Sequence, residues 1–184
     1  MSELERVLQA LNAGGVIAYP TEAVYGLGCD PDNEAAVLSL LAIKQRSVEK
    51  GLILVAANYS QLLPYVDDKA IPPEKRYQIF SSWPGHISWI LPASKTAPKW
   101  ITGQYNSIAV RVSAHPVVQA LCSAYGKPLV STSANLSGWP AITKRTELEQ
   151  SLGHKLSAIM PGELGGATQP SQIRNAVTGD IIRS

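Results

Sequence analysis

The six residues from Gly51 to Ala56 constrain the fold of this chain more than any other segment. They read Gly-Leu-Ile-Leu-Val-Ala, an apolar run with no polar position to face water. A strand of this kind is buried on both faces of its sheet, which is usual where helices cover both sides. The run therefore predicts an α/β fold with this strand at the centre of the sheet.

The rest of the chain mixes helical and strand patterns. Apolar residues at helical spacing predict helices, and short apolar or alternating runs predict further strands. These patterns predict one α/β domain over residues 1–184, with a twisted mixed sheet flanked by helices and a basic cleft. The predicted helices cover residues 4–11, 34–44, 73–80, 116–125 and 146–152, and the predicted strands cover residues 16–19, 51–56, 87–91, 107–112 and 128–131, with a strand at Ala158 and a hairpin turning near Thr178-Gly179-Asp180.

The N-terminal segment and the cysteines favour a cytoplasmic protein. Residues 1–6 are acidic and amphipathic and lack the basic start and apolar run of a signal peptide. No apolar stretch approaches the roughly 18 residues that a membrane span needs. Cys29 and Cys122 are far apart and form no Cys-x-x-Cys pair, so we expect two reduced thiols.

The net charge of +2 conceals an uneven distribution of charged residues. Residues 1–43 carry six acidic residues and one basic residue, whereas residues 75–146 carry eight basic residues and no acidic one. This basic window predicts either a solvated basic surface or a positive groove for the phosphates of a nucleotide or of RNA.

The segment from Pro20 to Gly28 leaves a predicted strand and is expected to enter a turn. Thr21 offers a hydroxyl group there, and Gly26 and Gly28 allow a ligand to approach the backbone closely. The segment is not a Walker loop, and taken alone it is equally typical of a strand-to-helix connection.

Two further segments supply cations and hydroxyl groups. Lys44, Arg46 and Lys50 lie within seven residues at the end of a predicted helix and lead into the buried strand. Such cations either complement the helix dipole or line a cleft. The residues 131–135, Ser-Thr-Ser-Ala-Asn, follow another strand, and short polar side chains with free backbone N–H groups suit phosphate and carboxylate oxygens. Together the two segments predict an anion-handling site that binds a nucleotide.

Other chemistry finds little support in the sequence. No Ser-His-Asp or Cys-His pairing is evident, and no spacing of His, Asp or Glu predicts a permanent metal site. We predict that His86, His115 and His154 are structural or exposed, and that the four tryptophans pack in the core or on the surface.

In this order, the segments resemble the YrdC-like family over residues 15–183. The family pattern Pro-Thr-(acidic)-x-x-Tyr-Gly-(Leu/Val)-Gly is matched by residues 20–28. The short bacterial form, which lacks an additional C-terminal domain, is the expected match. The remaining matched positions are Lys44 and Arg46 for a Lys-x-Arg element, Ser133 and Asn135 for a Ser-x-Asn element, and Ser107 and Arg111 for a hydroxyl-x-x-x-Arg strand.

The resemblance implies a threonylcarbamoyl-AMP synthase of tRNA modification. Such an enzyme joins L-threonine, bicarbonate and ATP and releases pyrophosphate. A separate threonylcarbamoyl-transferase complex then modifies the adenosine on the 3′ side of the tRNA anticodon. Mg²⁺ would arrive with ATP, with no tightly bound cofactor, and binding of tRNA or double-stranded RNA is consistent with the family.

The resemblance also implies a role for each matched residue. Thr21, Arg111, Ser131 and Ser171 would hold threonine, with Arg111 suited to pair bidentately with its carboxylate. Lys44 and Arg46 would be the catalytic cations that stabilise the leaving pyrophosphate. The residues implied in ATP binding are Lys44, Arg46, Lys50, Ser107, Ser133, Asn135 and Arg183.

Three positions depart from the family pattern. Longer relatives often carry Pro and His where this chain has Ser47 and Val55, and a polar amide where it has Lys50. Two other functions are consistent with part of the pattern. A non-catalytic RNA-binding protein of tRNA or ribosome maturation would explain the basic window but not the Lys-x-Arg and Ser-x-Asn pair. A stand-alone nucleotide hydrolase is disfavoured by the lack of a Walker loop or carboxylate cluster.

Overall fold

The computed structural model describes residues 1–136 and 138–183, and its strands form one mixed sheet. The strands are β1 (Ile17–Pro20), β2 (Tyr25–Gly28), β3 (Ile53–Ala56), β4 (Ile87–Pro92), β5 (Ser107–Val112), β6 (Leu129–Ser133), β7 (Ala158–Ile159), β8 (Gln172–Asn175) and β9 (Ile181–Arg183). The helices are α1 (Glu3–Asn12), α2 (Glu34–Lys44), α3 (Pro73–Ser81), α4 (Lys99–Thr102), α5 (Pro116–Tyr125) and α6 (Arg145–Leu152).

The order of the strands confirms the predicted central position of β3. Across the sheet the order is β7-β1-β2-β6-β3-β5-β4-β8-β9, so β3 is the middle strand. It runs parallel to β5 and antiparallel to β6. The sheet is therefore mixed, as predicted. Most pairs of adjacent strands are not consecutive in sequence.

Successive side chains along each strand point to opposite faces of the sheet, and this divides the core into two layers. Val55 and Leu129 face one side of the sheet, and Leu54 and Val130 face the other. Helices α1 and α5 cover the first face, through Val7, Leu11, Val118, Leu121 and Cys122. The second face packs against a larger cluster that includes Val37, Leu40 and Leu41 of α2.

One sequence-based interpretation is wrong. Residues 25–28, predicted to be part of a turn, form strand β2, which pairs with β1 and β6. The two glycines are required by the ring of Tyr19, since a Cβ on Gly28 would lie 2.8 Å from Tyr19 Cε1 and 2.6 Å from the Val130 carbonyl oxygen. Pro20 lies outside the predicted strand of residues 16–19 but is the last residue of β1, opposite Tyr25.

Helix α2 ends in a way that directs the residues after it. Asn33 caps its N-terminus by accepting from the Ala36 N–H at 3.1 Å. At the other end Gln45 adopts a left-handed conformation with φ of 52°, and the Arg46 N–H donates to the Leu41 carbonyl at 3.0 Å. This turn reverses the chain between Lys44 and Arg46 and leads it toward β3.

Both cysteines are free thiols, as predicted, and both are fully buried. Within residues 1–136 and 138–183, no helix has the length and apolar character that crossing a membrane requires.

Candidate functional site

A cavity of about 870 Å³ occupies the half of the α1/α5 face that those helices leave open. Small side chains of strands β2, β6 and β5 form part of its floor, among them Gly26, Ser131 and Ala109. Because these residues project little from the sheet, a depression remains beside the helices. The lining includes all eleven residues that the sequence implied in ligand binding, namely Thr21, Lys44, Arg46, Lys50, Ser107, Arg111, Ser131, Ser133, Asn135, Ser171 and Arg183.

Lys44 is buried at one end of this cavity and is fully engaged with the Ser-x-Asn segment. Its Nζ donates to the Ser133 carbonyl at 2.7 Å, to Ser133 Oγ at 3.4 Å and to Asn135 Oδ1. An ammonium group has three N–H donors, so these contacts use all of them. Burial, with a smaller contribution from the charge of Arg46, lowers the pKa of Lys44 to about 8. Lys44 therefore holds the loop at residues 133–135 in place.

Arg46 and Lys50 lie near the same end. Arg46 Nη2 donates to the Gly51 carbonyl at 3.0 Å, and no described residue accepts from its buried Nε. Lys50 is exposed at the rim. Continuing the strand registers by two residues places Gly51, Ser107 and Ser133 on one level of the sheet. This level forms the cationic end of the cavity.

Arg111 marks the other end of the cavity. Its position and that of Ser107 differ by four residues along β5, a separation of about 13 Å at roughly 3.3 Å per residue. Arg111 Nη1 donates to Glu22 Oε2 at 2.5 Å, and Ser113 Oγ donates to the same oxygen at 3.0 Å. Burial raises the pKa of Glu22, but Arg111 and the hydrogen bonds outweigh it and lower the pKa below its usual value. Glu22 thus faces Arg111 as a carboxylate.

A second guanidinium group lies close to Arg111. Arg183 Nε donates to the Ser171 carbonyl at 2.9 Å, and its Nη2 donates to Ser171 Oγ at 3.1 Å. Ser171 Oγ also lies 3.0 Å from Ser88 Oγ, and the β4–β5 register, continued by one residue, sets Ser88 opposite Arg111. Burial, and then the charge of Arg111, lower the pKa of Arg183. The two predicted ligand arginines therefore meet at the same end of the cavity.

Residues 160–171 connect β7 to β8 across the sheet and form a strap over this end. The Gly165 N–H donates to the Thr21 carbonyl at 3.0 Å, and the Ala167 N–H donates to the Glu22 carbonyl at 2.9 Å. His115 Nδ1 accepts from the Val117 N–H, so its Nε2 carries the hydrogen that is donated to the Glu163 carbonyl at 2.8 Å. His86 Nε2 contacts the Gln169 carbonyl at 2.8 Å. His115 is thus structural and His154 exposed, as predicted.

Sequence reasoning missed several residues of the site. Glu22 was counted only as an acidic residue, although a lone carboxylate next to a predicted ligand such as Thr21 could have suggested a partner for Arg111. Glu22 reaches the site through its contact with Arg111, whereas His86, Thr102, Tyr105 and Asn175 line the cavity themselves. No local pattern marks them, because they reach the cavity through the order of the strands.

Among the described residues, four of the eight cations of the basic window line the cavity or form ion pairs. Of its eight cations, Arg111 is the one that lines the cavity within the described residues. Arg76 pairs with Asp68, Lys127 with Asp30 and Asp32, and Arg145 with Glu149. The cavity draws its other cations from residues 44–50 and from Arg183, and a phosphate groove built from this window stays a prediction.

Comparison with known proteins assigns the chain to a family. The family model described as "Telomere recombination" (Sua5/YciO/YrdC) matches residues 9–184. A threonylcarbamoyl-AMP synthase of Vibrio parahaemolyticus is 56% identical over 183 residues, which is 100% of this chain and 99% of the relative. One of Pseudoalteromonas translucida is 57% identical and covers 99% of this chain and 97% of the relative.

Solved structures agree with this assignment. The P. abyssi Sua5 complexed with L-threonine has a TM-score of 0.88 and 29% identity over 97% of this chain, which spans 52% of that longer protein. The E. coli YciO structure has a TM-score of 0.85 and 25% identity, covering 98% of this chain and 88% of that one. This chain belongs to the Sua5/YciO/YrdC family.

Proposed function

We propose that this chain is a threonylcarbamoyl-AMP synthase, which joins L-threonine, bicarbonate and ATP and releases pyrophosphate. The observation that carries the proposal is one cavity with Arg111, whose guanidinium suits a carboxylate, at one end and Lys44 and Arg46 at the other. Relatives that match the chain almost end to end bear this enzyme name, and a solved family member holds L-threonine.

The reaction requires the two ends to act on one assembled intermediate. The threonine amine attacks bicarbonate, an N–C bond forms, and water leaves, giving a carbamate. A carbamate oxygen then attacks the α-phosphorus of ATP, and the bond to the bridging oxygen of the leaving pyrophosphate breaks. This chemistry needs alignment of the reactants and stabilisation of charge more than a nucleophilic side chain.

Threonine would bind at the Arg111 end. Glu22 occupies Nη1 of Arg111, which leaves the other edge of the guanidinium for a substrate carboxylate. The Thr21 hydroxyl donates to the Val24 carbonyl at 2.6 Å and is therefore available to a ligand only as an acceptor. Ser131, from the cavity floor, and Ser171, beside Arg183, complete the proposed threonine site.

ATP would bind at the cationic end, with its phosphates near Arg46 and Lys50. Lys44 contributes its charge while it holds Ser133 and Asn135, and Ser107 is a further proposed contact. Arg183 lies at the Arg111 end, and its proposed contact with ATP would be made from there. The described lining residues offer hydroxyl, amide and cationic groups but no carboxylate. Mg²⁺ would accordingly enter as the ATP complex, held by phosphate oxygens, since it binds readily to substrate phosphates.

The product would serve tRNA modification. A threonylcarbamoyl-transferase complex would consume the adenylate and modify the adenosine on the 3′ side of the anticodon, in the cytoplasm. Direct binding of tRNA or double-stranded RNA is a separate part of the proposal. If it is driven by phosphate contacts, the logarithm of the affinity will fall linearly with the logarithm of salt concentration.

The deciding experiment is release of pyrophosphate from ATP with each substrate omitted in turn. We expect release only when both L-threonine and bicarbonate are present. Release that does not depend on either one would exclude the synthase reaction.

Arg46→Ala separates a ligand role from a structural role. Loss of a charged hydrogen bond to phosphate should raise the KM for ATP by roughly 10- to 100-fold, while the melting temperature stays near that of the wild type. Arg145→Ala, which removes an exposed cation paired with Glu149 outside the cavity, is the matched control. A lower melting temperature with an unchanged KM for ATP would make Arg46 structural.

A further inference from the structure

Glu22 provides the negative charge at the Arg111 end of the cavity. Its side chain is 13% exposed, and Oε2 accepts from both Arg111 and Ser113. No described residue donates to its other oxygen, Oε1, which is buried. The backbone of the strap packs against the backbone of Glu22, since a Cβ on Gly165 would lie 2.9 Å from the Glu22 Cα.

Glu22 and the two arginines near it set the net charge of the Arg111 end. Arg111 and Arg183 contribute +2, and Glu22 contributes −1, so the three groups sum to +1. Without Glu22, the guanidinium groups of Arg111 and Arg183 would stand unopposed at this end. A site of that kind suits a dianion such as phosphate, because a paired arginine fork matches its oxygens.

Phosphate groups are the natural competitors at this position. The same cavity is proposed to hold ATP at its other end and to release pyrophosphate, about 13 Å away along β5. A zwitterionic amino acid differs from a phosphate in carrying one carboxylate and one amine that can be protonated. A site with charge +1 whose arginine is paired with a carboxylate favours the amino acid, because like charge repels the second negative charge of phosphate.

We propose that Glu22 is a specificity-determining residue that admits an amino acid to the Arg111 end and excludes phosphate and pyrophosphate. The inference rests on the proposed function for the identity of the amino acid, but not for the charge selectivity itself. Glu22 acts through Arg111 and through its own charge.

Isothermal titration of inorganic phosphate and of L-threonine tests the proposal, with the cationic end saturated by a non-hydrolysable ATP analogue. Glu22→Gln keeps an oxygen that can accept from Arg111 and Ser113 but removes the charge. We expect it to bind phosphate at least tenfold more tightly than the wild type does and to bind threonine more weakly. Asp68→Asn, which removes a carboxylate from the half-exposed pair with Arg76, is the control and should match the wild type.

A compensating variant distinguishes charge from local geometry. Glu22→Gln combined with Arg183→Gln restores the sum of +1, and its phosphate affinity should return toward that of the wild type. Equal phosphate affinity in Glu22→Gln and the wild type would overturn the proposal, and so would undiminished tight binding in the double variant. Should Glu22→Gln fail to fold, Glu22→Ala removes the same charge and applies the same test, with tighter phosphate binding expected and unchanged binding overturning the proposal.

These titrations measure binding without turnover. Absence of threonine-dependent pyrophosphate release from the wild type would therefore count against the proposed function and leave the phosphate result interpretable. Threonine-dependent release with no change in phosphate affinity in Glu22→Gln would leave the function standing and remove the role of Glu22.

Discussion

The contacts of Lys44 change the role that its position in the Lys-x-Arg element suggests. A lysine that binds phosphate directly needs a free N–H, but all three donors of Lys44 are used by Ser133 and Asn135. We therefore propose that Lys44 contributes to nucleotide binding by fixing the Ser-x-Asn loop and by its charge. Both contributions require the protonated form.

The affinity for ATP should fall as the pH rises through 8. One pH unit above a pKa of about 8, only about a tenth of Lys44 remains protonated, so the Kd for ATP should rise roughly tenfold between pH 7 and pH 9. Titration of ATP across this range gives the measurement. Lys44→Arg, which stays charged, should show a flatter profile.

The pKa of Lys44 affects stability in the opposite direction: ATP affinity should fall above pH 8, whereas the free energy of unfolding should rise. The pKa of Lys44 is lower in the folded chain than the ordinary value of 10.5, so the unfolded chain binds more protons between pH 8 and 10.5. The contribution of Lys44 to the free energy of unfolding thus rises over that window. A loss of ATP affinity that merely followed a loss of stability above pH 8 would contradict the assignment.

Gln45 offers a stabilising substitution at the end of α2. Among the described residues it is the one non-glycine residue with positive φ, and its side chain is exposed. Gln45→Gly should raise the free energy of unfolding by roughly 0.5–1 kcal/mol, because glycine adopts the left-handed conformation without steric cost. Denaturant unfolding measures the change. Gln9→Gly, at an exposed position within α1, should instead lower it by about 1 kcal/mol.

At the scale of single elements, the periodicity of apolar residues predicts the helices and strands whose bounds depend on adjacent residues. Helices α2 and α5 and strand β5 have the predicted bounds, because their apolar spacing and caps are properties of adjacent residues. Strand β2 was missed, because its two glycines are typical of a turn. Glycine is required at these two positions because the ring of Tyr19 packs against them, and only the pairing of β1 with β2 brings the ring there.

Strand β5 separates binding from stability by its two faces. Ala109 belongs to the cavity floor and Val110 to the buried core on the other face. Ala109→Leu should fill part of the cavity and abolish substrate binding with little loss of stability. Val110→Ala should cost on the order of 2 kcal/mol of stability while the folded fraction stays active. Calorimetric titration of ATP beside thermal melts would show whether the effects divide in this way, and strong unfolding by Ala109→Leu would disprove the division.

At the scale of the whole molecule, the order of the strands decides which residues meet. The predicted ligands at the two ends of the chain, such as Thr21 and Arg183, lie around one cavity because β8 and β9 join the sheet beside β4. Periodicity carries no information about that order, so the resemblance to a family, and not the pattern, grouped these residues. The contacts of Glu22 and His86 depend on the same strand order, and neither the periodicity nor the family resemblance predicted them.

The two buried cysteines can test whether the predicted domain of residues 1–184 unfolds as one cooperative unit. Cys29 lies in the core layer that contains α2, and Cys122 lies in the layer under α1 and α5. Burial raises the pKa of each thiol to about 12, so neither should react with a thiol reagent until the surrounding structure opens.

If the chain opens globally, both cysteines should be labelled at the same rate. ATP at 100 times its Kd should then slow both about 100-fold, since a ligand of the native state stabilises by mass action. Mass spectrometry of the labelled peptides resolves the two sites. Faster labelling of Cys122 alone, with no protection by ATP, would mean that α5 detaches while the sheet and its cavity persist.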